Sequence, residues 1–100
     1  MKIFTVCAGD FGIGTGIFYE GDSRLSLPNK SIVWTSLLAV VAVIKTEADR
    51  IVYMVGFREG RTMLISSDRQ TFTAIRSAAI EAAAKFQASL EHFQKPKWVN

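Results

Sequence analysis

The first two-thirds of the chain is punctuated like a meander of short strands. Residues 2–8, KIFTVCA, form an apolar run with the β-branched and aromatic residues of a strand. Residues 16–21, GIFYEG, read as a second strand that runs into the tight-turn sequence Glu20-Gly21-Asp22-Ser23. In residues 24–28, RLSLP, Leu25 and Leu27 fall on one face, Arg24 and Ser26 on the other, and Pro28 breaks the strand. Residues 50–57, RIVYMVGF, and 61–66, RTMLIS, are two further strands, and Glu59-Gly60 between them predicts a two-residue hairpin turn. Residues 31–45 stay open between two readings. Val40, Val41, Val43 and Ile44 favour a strand at the end of the run, whereas Ser36-Leu37-Leu38-Ala39 suits a short helical turn, and periodicity does not separate the two in a short apolar run.

From Ser67 the period changes. Ser67-Asp68-Arg69-Gln70 fits a capping box, with the serine accepting from an early helix N–H and Gln70 reaching back. Phe72, Ile75, Ala79, Ala82, Phe86, Leu90 and Phe93 then follow in steps of three and four, one face of a helix. Glu81 stands four residues before Lys85, the supporting orientation for an ion pair. Pro96 ends the helix. The pattern predicts an α+β domain: an antiparallel sheet of about six or seven strands within residues 2–66, one long C-terminal helix over about 68–94 packed on it, and a short tail at 95–100.

Three stretches carry a resemblance. They are GIGTGIFYEGDSRLSLP (12–28), two strands around an acidic-glycine turn; SIVWTSLLAVVAV (31–43), strand, aromatic corner and strand; and VGFREGRTMLISSDRQTFTAI (55–75), a hairpin with Gly-Arg followed by a capped helix. Together they resemble a small bacterial pleckstrin-homology-like domain. The resemblance implies one PH-like domain over residues 1–100, a curved antiparallel sheet closed at one corner by the helix, and binding rather than chemistry. Some lipid-binding members of that superfamily hold inositol phosphates with bases around the first strand pair. Here that region carries Asp10, Glu20 and Asp22 and no base between Lys2 and Arg24, which argues against phosphoinositide as a partner.

Composition narrows the functional classes. The chain has 100 residues, of which 49% are hydrophobic and 21% charged, too apolar for disorder and the right size for one domain. Its single cysteine, Cys7, forms no internal disulfide, and a cytoplasmic setting is expected. The longest uncharged run, residues 31–44, has 14 residues, short of the roughly 20 that a membrane helix needs. The net charge of +3 is mild, and its bases are scattered rather than gathered on one helix, which argues against nucleic acid. The densest basic group is REGR, residues 58–61.

Candidate chemistry is sparse. Gly12, Gly14 and Gly16 in DFGIGTGIFYEGD suggest a phosphate cradle, but no Lys-Ser/Thr follows them and the dinucleotide spacing is wrong. The expected role is structural: a strand with one bare face, approached by the small residues Ala78, Ala79, Ala82 and Ala83 of the helix. Cys7 reads as a buried inert thiol, and the lone His92 as a surface residue near the helix end. Trp34 reads as core, while Trp98 is either packed back or open to a partner. No cofactor, metal site or enzyme activity is expected. A helix over 69–94 would span about 38 Å, longer than a typical strand at about 17–20 Å, so Phe86, Leu90 and Phe93 are expected to project beyond the sheet as an interface. The reading is a non-catalytic protein-interaction module that self-associates; the alternative is a binder of nucleic acid or an anionic surface through Arg58 and Arg61.

Overall fold

Seven strands form, each where the alternating pattern places one apolar face. They are β1 (Lys2–Gly9), β2 (Gly14–Tyr19), β3 (Arg24–Ser26), β4 (Ile32–Trp34), β5 (Leu38–Glu47), β6 (Arg50–Phe57) and β7 (Thr62–Asp68), followed by the helix α1 (Arg69–Phe93). The computed structural model describes residues 1–93, with side chains as far as Lys85. The strands make one antiparallel sheet in the order β4-β3-β2-β1-β7-β6-β5. Five of the six neighbouring pairs are consecutive hairpins; the sixth, β1 against β7, joins the first strand to the last.

That order forces a curl. β4 and β5 are the two edges of the sheet, yet the chain passes from one to the other through Thr35–Leu37, a single 3-10 turn. In a flat sheet the edges of seven strands would lie about 29 Å apart at about 4.8 Å per strand. Four Cα steps, from Trp34 to Leu38, reach about 14 Å at most. The sheet therefore rolls into a half-barrel whose edges meet at this corner. The run that the sequence left open is thus a strand, a helical turn and a second strand.

The concave face is the core. Phe4 and Val6 of β1, Phe18 of β2, Leu25 of β3, Val33 of β4, Tyr53, Val55 and Phe57 of β6, and Met63 and Ile65 of β7 are buried there. Phe11, between β1 and β2, plugs one end and packs on Phe57 with ring centroids 4.8 Å apart. Leu25 and Leu27 share the buried face as the alternation required. Helix α1 closes the barrel with Ile75 and Ala79 buried and Phe72, Ala74 and Ala78 packed beside them. A fully buried Ile side chain is worth about 1.5–3 kcal/mol, so Ile75 alone is a substantial anchor.

The helix start differs from the expected capping box by one residue. β7 runs on through Asp68, and Asp68 caps the helix: its carboxylate accepts the Thr71 N–H at 2.7 Å, which holds the carboxyl below its usual range. Ser67 is turned inward instead, 2.9 Å from the hydroxyl of Tyr53. Burial pushes the Tyr53 phenol up to about 12 against the smaller opposing effect of that hydrogen bond. Tyr53 has the bulk of a core residue, and only a polar neighbour facing inward satisfies its hydroxyl.

Three local expectations are corrected. The β6–β7 turn is residues 58–61 rather than a two-residue loop, closed by Phe57 N–H to Arg61 O (2.8 Å) and by Gly60, at φ +107°. Cys7 is exposed, because the apolar side of β1 that faces inward is Phe4 and Val6 and the register shifts just after Val6. The glycines do not form one bare strand face for the alanines of α1. Gly12 and Gly14 take positive φ as the chain enters β2, while Gly16 lies inside β2 directly opposite Phe4. The Phe4 ring folds over Gly16, and a Cβ there would overlap it. Gly16 thus gives its volume to an aromatic ring of the neighbouring strand, a fact that the spacing of glycines alone does not carry.

Gly16→Ala should cost about 1–3 kcal/mol in urea unfolding, the range for overpacking a filled site. The cost should shrink when Phe4 is first shortened to Leu. Equal costs in the two backgrounds would show that the ring does not set the constraint.

Candidate functional site

Three surfaces come out of this architecture: the loop end of the barrel, the corner where the edges meet, and the outer edge of β5. The loop end is built by residues 10–13, 28–31 and 58–61, which the strand order brings side by side. Asn29 N–H donates to Phe11 O at 3.1 Å, Asp10 N–H donates to Thr62 O at 3.0 Å, and the Asp10 carboxylate accepts the Thr62 N–H at 2.9 Å. Arg61 belongs here. Its guanidinium pairs with Glu59 and lies 4.4 Å from the centre of the Phe11 ring. The pairing holds the Glu59 carboxyl below its usual range, chiefly through the hydrogen bonds from Arg61. The charge of Arg61 is thus balanced locally, and its face covers the aromatic plug.

Arg58 is placed elsewhere in function although only three residues away. Its backbone N–H donates to Leu37 O at 2.9 Å and its Nε to Ser36 O at 3.0 Å. Both bonds tie the end of β6 to the corner between β4 and β5. From the other side the Thr35 N–H donates to Ser23 O at 2.9 Å, and Thr35 is buried. The corner is held between the start of β3 and the end of β6. The structure therefore separates Arg58 and Arg61: one clamps the corner, the other covers the loop end.

Trp34 is not core. It points outward from β4 because its buried neighbour Val33 takes the inner face, and 51% of it is exposed. With Ser23, Thr35, Ser36, Ala78, Glu81, Ala82 and Lys85 it lines an open cleft of about 450 Å³ between the corner and α1. The cleft offers an aromatic wall and one charge of each sign. Phe86, Leu90 and Phe93 sit on α1, but their side chains lie outside the described residues, as do Trp98 and His92. Among the described residues no three of His, Cys, Asp and Glu come close enough to hold a metal ion. No helix of the described residues is long and apolar enough to cross a membrane.

The edge of β5 is the surface that the sequence reading missed. Among the described residues β5 pairs with β6 on one side only, so its other side presents backbone N–H and C=O groups outward. Val40, Val43 and Ile44 along it are each about half exposed (46%, 50% and 58%). Beside it α1 contributes Arg76, Ile80 and Ala83 to a shallow groove whose other wall is Leu38, Ala39, Val40 and Val41. Ile80 is 53% exposed, although its neighbour Ala79 is buried. The signal was present in the sequence as the longest uncharged run, but an apolar run implies burial until it is known that the strand has no neighbour.

Removing the Arg58 side chain should loosen the corner. Arg58→Ala is expected to lower unfolding free energy by about 1 kcal/mol, the worth of one partly solvated hydrogen bond from a charged donor. Unchanged stability in a urea titration would contradict the clamp. Comparison of the chain with protein-family models, with curated proteins and with solved structures finds no match.

Proposed function

We propose that the chain is a non-catalytic protein-interaction module of the pleckstrin-homology-like kind, and that it associates with itself. The fold supports the family reading to the extent of its layout: an antiparallel sheet, curled so that its edges meet, with a C-terminal helix closing it. The observation that carries the functional reading is the β5 edge, a row of backbone groups unpaired among the described residues and flanked by half-exposed Val40, Val43 and Ile44 and by Ile80 of the helix. Exposed apolar edge strands pair with other chains unless they are blocked, because the backbone groups are already aligned.

The distribution of ionisable groups supports a binding role over a catalytic one. Among the described residues, each group whose pKa moves does so for a reason internal to the fold: Tyr53 by burial, Asp68 by capping the helix, Glu59 and Arg61 by pairing with each other. Arg61 paired with Glu59 and Arg58 bonded to the corner also make the second reading, an anionic surface held by these two arginines, the weaker one. The reading of a cytoplasmic setting is supported by the single cysteine, Cys7, which has no second cysteine to pair with in the sequence.

Static light scattering over a dilution series tests the proposal. The expected result is a mass of two or more chains at high concentration that falls toward one chain on dilution. One chain at every concentration would end the self-association reading. Binding to nucleic acid that weakens steeply with salt would move the assignment to the second reading.

A further inference from the structure

Resting on the self-association reading, we propose that the module forms a two-fold dimer in which β5 pairs antiparallel with β5 of a second copy, centred on Ala42. The usable part of the edge is short. Register shifts interrupt β5 between Leu38 and Val40 and again between Val43 and Lys45, which leaves residues 40–43 as the regular stretch. The pairing of β5 with β6 gives the faces. Val41 lies opposite Val55 and Val43 opposite Tyr53, both core residues, so Val41 and Val43 point to the concave side; Val40 and Ala42, opposite Gly56 and Met54, point to the convex side.

A dimer about a two-fold axis perpendicular to the sheet must match concave residues with concave ones. Centring on Ala42 does this and keeps residues 41–43 of both copies paired, with Ala42 opposite Ala42 and Val41 opposite Val43 of the second copy. A shift by one residue sets concave against convex positions.

This register also completes what each copy leaves bare. Val41 borders the groove that contains Ile80 and Ala83, so Val43 of the second copy arrives beside Ile80. Val43 and Ile80 are each about half exposed in a single chain (50% and 53%). In the dimer, each helix covers the part of β5 that the other copy's own helix does not reach.

Charges fall at the ends. Lys45 of each copy comes opposite Ala39 of the other, which places the two lysines about 20 Å apart along the strands, beyond the screening length of about 8 Å. The end of the second copy that follows Val43 carries Glu47 and Asp49 against Lys45, and with Glu47 opposite Leu37 it arrives at the corner, where the Arg58 guanidinium donates to Ser36 O. The existing Lys45–Glu47 pair, at 3.2 Å and with both side chains more than half exposed, leaves Glu47 accessible to a second cation. Since the same edge is used by both copies, pairing consumes it and growth stops at two. β4, the other edge, has only three residues and runs into the corner.

Cysteine cross-linking and a lysine substitution test the arrangement in the full chain. In a Cys7→Ser background, Ala42→Cys would set two thiols across the axis with Cα atoms about 4.5–5.5 Å apart, within disulfide range. Thr46→Cys would set them about 26 Å apart. Mild oxidation should give a covalent dimer from the first variant and none from the second. Val43→Lys, at a half-exposed position, should keep the circular dichroism spectrum and weaken the dimer by at least about tenfold, because a charge replaces the group that meets Ile80. A wild type that scatters as one chain overturns both this dimer and the self-association reading. An assembled wild type whose Ala42→Cys variant fails to cross-link, or whose Val43→Lys variant keeps the wild-type mass, overturns the β5 dimer and leaves self-association standing.

Discussion

Everything in this fold depends on the corner at Thr35–Leu37. It joins the two edges of a seven-stranded sheet with a linker far too short to cross a flat one. The sheet must roll, and rolling gives the concave face on which Phe4, Phe18, Tyr53 and Ile65 meet. The corner is a costly thing to hold, since a 3-10 turn satisfies few of its own backbone groups. Ser23 O takes the Thr35 N–H, while the Arg58 N–H and guanidinium take the carbonyls of Leu37 and Ser36. Helix α1 then packs against the corner, while its Ile75 and Ala79 complete the core.

The same constraint accounts for the surface that is left over. A sheet that curls but does not close keeps two edges. β4 is three residues long and ends at the corner, so it offers little to a partner. β5 is ten residues long and departs from the corner with only its first part beside α1. Its remaining half-exposed valines and Ile44 are the direct result of a helix that covers the corner rather than the edge. The proposed protein-binding role rests on that geometry.

Much of the fold was legible in the sequence. The alternation of Leu25 and Leu27, the β-branched runs and the change of period at Ser67 gave an antiparallel sheet and a terminal helix. What escaped were the facts that depend on neighbours distant in the chain. Trp34 and Cys7 looked like core because they stand in apolar runs; which face of a strand is buried is decided by its partners, Leu25 opposite Val33 and Ile65 opposite Val6. Gly16 looked like a place for an alanine-lined helix, and it is filled by Phe4 from the next strand. Ser67 read as the helix cap, but the hydroxyl of Tyr53 claimed the serine and Asp68 caps the helix. Arg58 and Arg61 looked like one basic turn, yet backbone geometry sends the first to the corner and the second to Phe11. The open edge of β5 shows in the sequence only as an uncharged run, for the same reason: nothing in a strand's own residues tells whether it has one neighbour or two.

Amide hydrogen exchange at the corner tests the central claim. If the corner holds the half-barrel together, the N–H groups of Thr35 and Arg58, bonded to Ser23 O and Leu37 O, exchange only when the whole domain unfolds. Their opening free energies then match those of the Tyr53 and Ile65 amides in the centre of the sheet, despite their place in loops. Rapid exchange at Thr35 and Arg58, with the central strands still protected, would show that the sheet keeps its curl without the corner and would contradict the account.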